Sequence, residues 1–341
     1  MNPTYIIGLG GAGIEIGIAL NKICVENNIQ NIAYRFIDTD EHHFYFLQEK
    51  YHYILNRNEF SFIGNFSPMN YLSGYTKHKD NDFDSWFDKN VILNPGLLRS
   101  GTGGQRQIGR LACFHHYRQI NEEIHNDLNT LSHTAGISIN DIDVYIISSM
   151  CGGAGSGIYI DIAAIICNIW GSSEKIQAAL ILPQVYFNHN PFGEETENMK
   201  SNTWAFLKEI DFFINDNHTP RKLMAEYSCK KSVYDNSSHV DFAPFNKANL
   251  FCNTTSEGKI IESDAFFMAV AACLCKYIGI VPLTALHGEF DMVIYNFNPA
   301  WQNEIPDNDG FKRTYNARKF FTPHIVGKWN DSIDFTAQHE N

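Results

Sequence analysis

Short apolar runs alternate with segments of helical period along most of the chain, and glycines gather where one gives way to the other. Tyr5-Ile6-Ile7 predicts a buried strand that runs straight into Gly8-Leu9-Gly10-Gly11-Ala12-Gly13. Ile14 to Leu20 then carries apolar positions suited to a helix packed on a sheet. Ala33 to Ile37 predicts a second strand ending in Asp38-Thr39-Asp40, which completes a βαβ unit. Residues 41–95, rich in Phe, Tyr, His and Asn, lack clean periodicity and read as helices plus a long insertion. Order returns at Gly101-Thr102-Gly103-Gly104-Gln105, ahead of an amphipathic segment from 106 to about 130. The strand Asp143 to Ile147 meets a second cluster, Gly152-Gly153-Ala154-Gly155-Ser156-Gly157, and a helix from Ile158 to Ile169 follows. Further strands are expected at Ile176 to Leu182 and Leu250 to Cys252. A polar loop is expected over 184–198, helices over 199–215 and Asp264 to Ile278, and an irregular insertion over 216–245.

Strands alternating with helices imply an α/β fold, a Rossmann-like doubly wound and mostly parallel sheet. Ligands on such sheets bind beyond the carboxyl ends of the strands, where these glycine segments fall. The first segment alone, Gly8-x-Gly10-x-x-Gly13 with Asp38 after the second strand, is the fingerprint of an NAD(P)- or FAD-binding oxidoreductase. That reading leaves residues 152–157 unexplained. Three glycine segments opening three helices suit a triphosphate better, because helix N-termini present aligned N–H donors to an anion. The Ser156 hydroxyl is expected to join those donors, and no Lys-Ser/Thr follows to make a Walker loop.

These residues resemble the tubulin/FtsZ superfamily of GTPases. Gly152 to Gly157 lies one residue from the tubulin glycine signature, with Ala154 at the variant position. Gly10-Gly11-Ala12-Gly13-Ile14-Glu15-Ile16-Gly17 resembles the first phosphate loop of tubulin. Ser100 to Ala112 is similar to the γ-phosphate loop and following helix of FtsZ, including its Gly109-Arg110. Asp38-Thr39-Asp40 matches the family's Asn-Thr-Asp, and Asp264-Ala265-Phe266 opens a helix like the long central one. The resemblance implies GTP/GDP and Mg2+ as ligands. Gly11 to Gly13 and Gly152 to Ser156 would hold the α- and β-phosphates, and Gly103, Gly104 and Gln105 would sense the γ-phosphate.

It places Glu194 or Glu195 at the ribose, Asn253 at the base, and Phe266 stacked on the base. Each has a plainer alternative: a solvated loop charge, a turn cap and an ordinary core residue. The family's polar pair beyond that Phe is replaced here by apolar Met268-Ala269-Val270-Ala271, which cannot hydrogen-bond a base edge. Hydrolysis in this family uses acids donated by a neighbouring subunit. Asp291, then Glu289, are the candidates, while Val293 and Asn296 occupy two further family positions. The same resemblance implies head-to-tail self-association into filaments and leaves room for a further protein partner. With those positions eroded, a nucleotide-gated scaffold that does not hydrolyse is the alternative.

The expected division is a nucleotide-binding domain over 1–262, with insertions near 51–95 and 216–245. The central helix and its connection span 263–285, and 286–341 forms a reduced, truncated or rearranged C-terminal region. Composition narrows the picture rather than making it. The chain is 44% hydrophobic with 26 basic against 38 acidic residues, net −12, which argues against nucleic-acid and anionic-lipid partners. Its 8 cysteines form no CxxC pair and read as buried free thiols of a reducing, cytoplasmic compartment. No metal-ligand cluster is read: His42-His43 and His115-His116 are expected to diverge on their helices, and Glu209 and Asp211 to lie on a solvated face.

Overall fold

The computed structural model describes residues 2–52, 57–75, 87, 98–99, 101–170, 174–187, 194–215, 244–255, 260, 262–278 and 292–297. Strands β1 (Thr4–Leu9), β2 (Ile32–Asp38), β3 (Phe60–Phe62), β4 (Asp143–Ser149), β5 (Ile176–Ile181), β6 (Lys247–Thr255) and β7 (Met292–Phe297) form one sheet of order β3-β2-β1-β4-β5-β6-β7. The first six pair in parallel and β7 lies antiparallel on the β6 edge. The short strand β3 had no sequence signal beyond its aromatics.

Period-two alternation sends the two faces of each strand into two separate cores. Tyr5, Ile7 and Leu9 of β1 and Val144 and Ile146 of β4 pack under α4 (Arg106–His115), α5 (Tyr117–Ala135) and α6 (Ala154–Trp170). Ile6, Tyr145 and Ile147 face the other way, onto α1 (Gly10–Glu26), α2 (Glu41–Tyr51) and the central helix, labelled α9 here (Ser263–Tyr277). Both faces of the sheet are covered, so its inner strands carry continuous apolar runs. Helix α3 (Pro68–Tyr75), the single turn α7 (Gln184–Phe187) and α8 (Glu194–Asn215) complete the described helices. None of the described helices is long and apolar enough to cross a membrane.

Several helices begin earlier than periodicity suggests. Helix α1 starts at Gly10, directly after the last residue of β1, and α6 starts at Ala154, within the glycine cluster. The amphipathic segment from 106 breaks at His116 into α4 and α5. That break reverses the expectation for His115 and His116. Their rings meet edge to face at 4.8 Å beside Phe66 and Tyr71, because the second residue has left the helix. The loop expected over 184–198 is shorter, since α8 already starts at Glu194. Glu209 is not merely solvated: it accepts from Arg106 Nη1 at 3.0 Å. Among the described cysteines all are free, and all but Cys273 are buried. The insertion expected over 216–245 lies almost wholly outside the described residues.

A buried polar knot ties α5 to the sheet. Arg35 on β2 donates to both carboxylate oxygens of Asp127 at 2.8 Å, and the Tyr5 hydroxyl donates to the same group at 2.6 Å. Arg35 can be buried only because both ends of its fork are satisfied.

Candidate nucleotide cleft

Strands β1 and β4 are neighbours whose following helices leave to opposite faces of the sheet. This is the topological switch point, where an open α/β sheet forms a crevice. A cleft of about 290 Å³ lies there. Leu9 and Gly10-Gly11-Ala12 supply one wall, Gly152-Gly153-Ala154-Gly155 a second, and Gly103-Gly104 a third. Tyr186 of α7 and one face of α8, Glu195, Asn198, Met199 and Asn202, close it.

The two strand-to-helix turns are interlocked backbone to backbone. Gly10 sits at φ +66°, and a Cβ there would lie 2.8 Å from the Gly155 nitrogen. A Cβ on Gly155 would lie 2.5 Å from the Leu9 carbonyl oxygen. Glycine at both positions is therefore a condition of packing. Gly152 differs: a Cβ there meets nothing within 4 Å. Gly103 and Gly104 also face open space, at φ +60° and +78°.

The first N–H groups of a helix have no partner inside it and must find one elsewhere. Asp40 caps α2 by accepting from the His43 N–H at 3.0 Å. By contrast, Leu9 before α1 and Gln105 before α4 make no side-chain cap. Helices α1 and α4 thus turn uncapped N-termini, with their positive dipole ends, toward the glycine segments. Among the described residues no lysine or arginine lines the cleft, so an anion there would meet backbone and dipoles first. Burial pushes the Cys151 thiol in the cleft floor up to about 11, which keeps it uncharged at neutral pH.

Other described residues read from the sequence lie outside this lining. Gly13 packs against the Ile147 carbonyl, and Gly157 against the backbone of Arg106. Glu15 faces α2, accepting from Lys50 at 2.5 Å and from the Tyr51 hydroxyl at 2.9 Å. Asp38 is buried and accepts the Thr39 N–H at 2.6 Å; desolvation raises its carboxyl to about 7. Gly101, at φ +83°, lies by Asp40, Thr102 is buried against Gly153, and Gln105 begins α4.

The Ser156 hydroxyl, expected among the ligand donors, is engaged within the chain instead. It donates to the Gly152 carbonyl and accepts from Arg106 Nε at 3.0 Å. Phe266 is fully enclosed beside Phe267 in the core under α1. Asn253 is buried on β6. Of the two acids, Glu195 lines the cleft and Glu194 opens α8. Asp291 and Glu289 lie outside the described residues. Tyr186, Asn198 and Asn202 were missed, and the apolar-polar pattern marked none of them. A helical face of Glu195, Asn198, Met199 and Asn202 following a polar loop was the available signal.

The family model described as "Tubulin like" matches residues 5–278. No curated protein matches the chain. Among solved structures, it is similar to CetZ from Methanosaeta thermophila strain DSM 6194, at 14% identity over 85% of this chain and 56% of that one, TM-score 0.45. It is also similar to TubZ of Bacillus thuringiensis serovar israelensis in a GTPγS-form protofilament, at 13% identity over 94% and 71%, TM-score 0.47. The chain spans about half the length of the CetZ structures it matches, 56%, 49% and 54%. With the family match running from β1 through the central helix, the chain belongs to the tubulin-like family.

Proposed function

We propose that the cleft binds GTP and GDP, and that the chain self-associates head to tail with its nucleotide at the contact. The observation that carries this reading is the convergence of three glycine segments on one cleft at the sheet's switch point. A dinucleotide enzyme needs only the first segment, and membership of the tubulin-like family favours the nucleotide reading over the oxidoreductase alternative. Backbone amides of Gly11, Ala12, Gly152 and Gly153 would take the α- and β-phosphates. Gly103 and Gly104 would meet the γ-phosphate, and Glu195 the ribose.

With no basic side chain among the described lining residues, a triphosphate's charge would be countered by helix dipoles and by a divalent cation. The donors present suit Mg2+, which prefers oxygen ligands and stays largely hydrated beside phosphates. Glu195 and Asn198 are the oxygen-bearing side chains of the α8 wall that could reach its waters. The ion would neutralise phosphate charge when bound.

Hydrolysis would fall to Asp291, with Glu289 second, acting on a neighbour's nucleotide. A nucleotide-gated scaffold without hydrolysis is favoured by Val293 and Asn296 at two family positions that carry acids elsewhere. Mass spectrometry of nucleotide released from denatured protein tests the ligand class. Guanine nucleotide is expected, and a stoichiometric nicotinamide or flavin dinucleotide would overturn the reading.

A further inference from the structure

Helix α8 reaches across the cleft mouth and grips two of its walls. The Asn202 side-chain amide donates to the Gly104 carbonyl at 2.7 Å and to the Cys151 carbonyl at 2.9 Å. Both acceptors are carbonyl oxygens, so the amide NH2 must face them. One belongs to the Gly103-Gly104 turn and the other immediately precedes Gly152, so a single side chain bridges the second and third glycine segments. Further along α8, Glu209 accepts from Arg106 at the start of α4, and Arg106 also donates to Ser156 on α6. The bridge is thus anchored at two points of one helix.

The Gly103-Gly104 turn needs such a hold. Its two residues have left-handed φ values and no side chains, and a Cβ at either would meet nothing within 4 Å. Glycine peptides rotate at low cost, so the Gly104 carbonyl could turn its negative end toward a bound phosphate. A carbonyl oxygen facing a phosphate repels it, whereas one satisfied by an amide donor is neutralised.

Building on the nucleotide reading above, we infer that Asn202 is a positioning residue: it fixes the Gly103-Gly104 turn against the Gly152 segment and thereby sets the site's preference for triphosphate over diphosphate. The α- and β-phosphates rest on the first two glycine segments and depend on it less.

The test measures affinity for GTPγS and for GDP, by calorimetry with Mg2+, in wild type, Asn202→Ala and Asn202→Asp. Alanine suits a half-buried position inside α8, and aspartate keeps the shape while removing both donors. Loss of one such bonded group is expected to lower the triphosphate-to-diphosphate preference about tenfold in Asn202→Ala, and further in Asn202→Asp, with GDP affinity changed less than about twofold. Thermal unfolding of the two variants should match wild type within a few degrees. A preference unchanged in both variants, or GTPγS and GDP affinities falling in parallel, overturns the inference while leaving the nucleotide site standing. Wild type binding neither nucleotide overturns both.

Discussion

Glycine carries different meanings within a few residues of this chain, and only surroundings separate them. Gly155, Gly13 and Gly157 are small because backbone lies against them, whereas Gly152 is bare toward the cleft. The sequence pattern located the cluster but could not say which members face a ligand, since packing and binding both demand absent side chains. The same ambiguity explains Ser156 and Phe266. Position along the chain could not show that the Ser156 hydroxyl donates to the Gly152 carbonyl or that the Phe266 ring is enclosed by core. Asp38 yields a prediction at this scale. Its folded carboxyl titrates near 7, above the value of about 4 in an unfolded chain. Folding therefore takes up a proton across that window, and stability falls as pH rises from about 4 to about 7. Asp38→Asn keeps an acceptor for the Thr39 N–H and removes this slope, up to about 1.4 kcal/mol per pH unit. Urea unfolding at about pH 4.5 and 7.5 should show a flatter pH dependence in the variant, and identical slopes would refute the assignment.

Five of the seven described strands were legible from apolar runs, because they are buried on both faces, whereas the edge strands β3 and β7 were not read. The ends of the elements were not legible. Helices α1 and α6 begin inside glycine segments that read as loops, since tertiary contact between two turns overrides glycine's poor helix propensity. Gly109 makes that override measurable. It lies in the middle of α4, where alanine would ordinarily be preferred by about 1 kcal/mol. Yet a Cβ there would sit 2.5 Å from the Gly153 carbonyl oxygen, because α4 and α6 meet backbone to backbone. The Gly109-Arg110 pair that drew the family resemblance thus has a local cause, a close helix contact with Arg110 set opposite the buried Asp161 at 3.9 Å. Gly109→Ala should destabilise by about 1–3 kcal/mol, against its propensity. Chemical denaturation showing equal or greater stability would mean the two helices are not so tightly apposed.

At the level of the whole molecule, doubly wound topology and the position of the cleft followed from the order of apolar runs and glycine clusters. The α8 face that closes the cleft did not, since its polar residues look like any solvated helix surface until α8 is packed against α6. The expected division into 1–262, 263–285 and 286–341 remains a proposal, and the tubulin-like match to 5–278 covers the first two parts for most of their length. If Asp291 completes a neighbour's site, activity per molecule must rise with protein concentration, because a heterologous contact that does not close builds filaments. Phosphate release and light scattering across a concentration series should rise together on adding GTP. Asp291→Ala should slow release by about 10²–10⁴-fold with nucleotide binding intact. Flat specific activity with no scattering would leave the scaffold reading. All of this rests on one claim, that the three glycine segments form a phosphate site, and Gly152→Val tests it most directly. Its new side chain meets no protein atom within 4 Å at the Cβ, so the fold should be spared while the space for phosphate is filled. Calorimetric titration with GTP and Mg2+ should show binding to wild type and none to Gly152→Val, at matched melting temperatures. Equal GTP affinity in the two proteins would contradict the site.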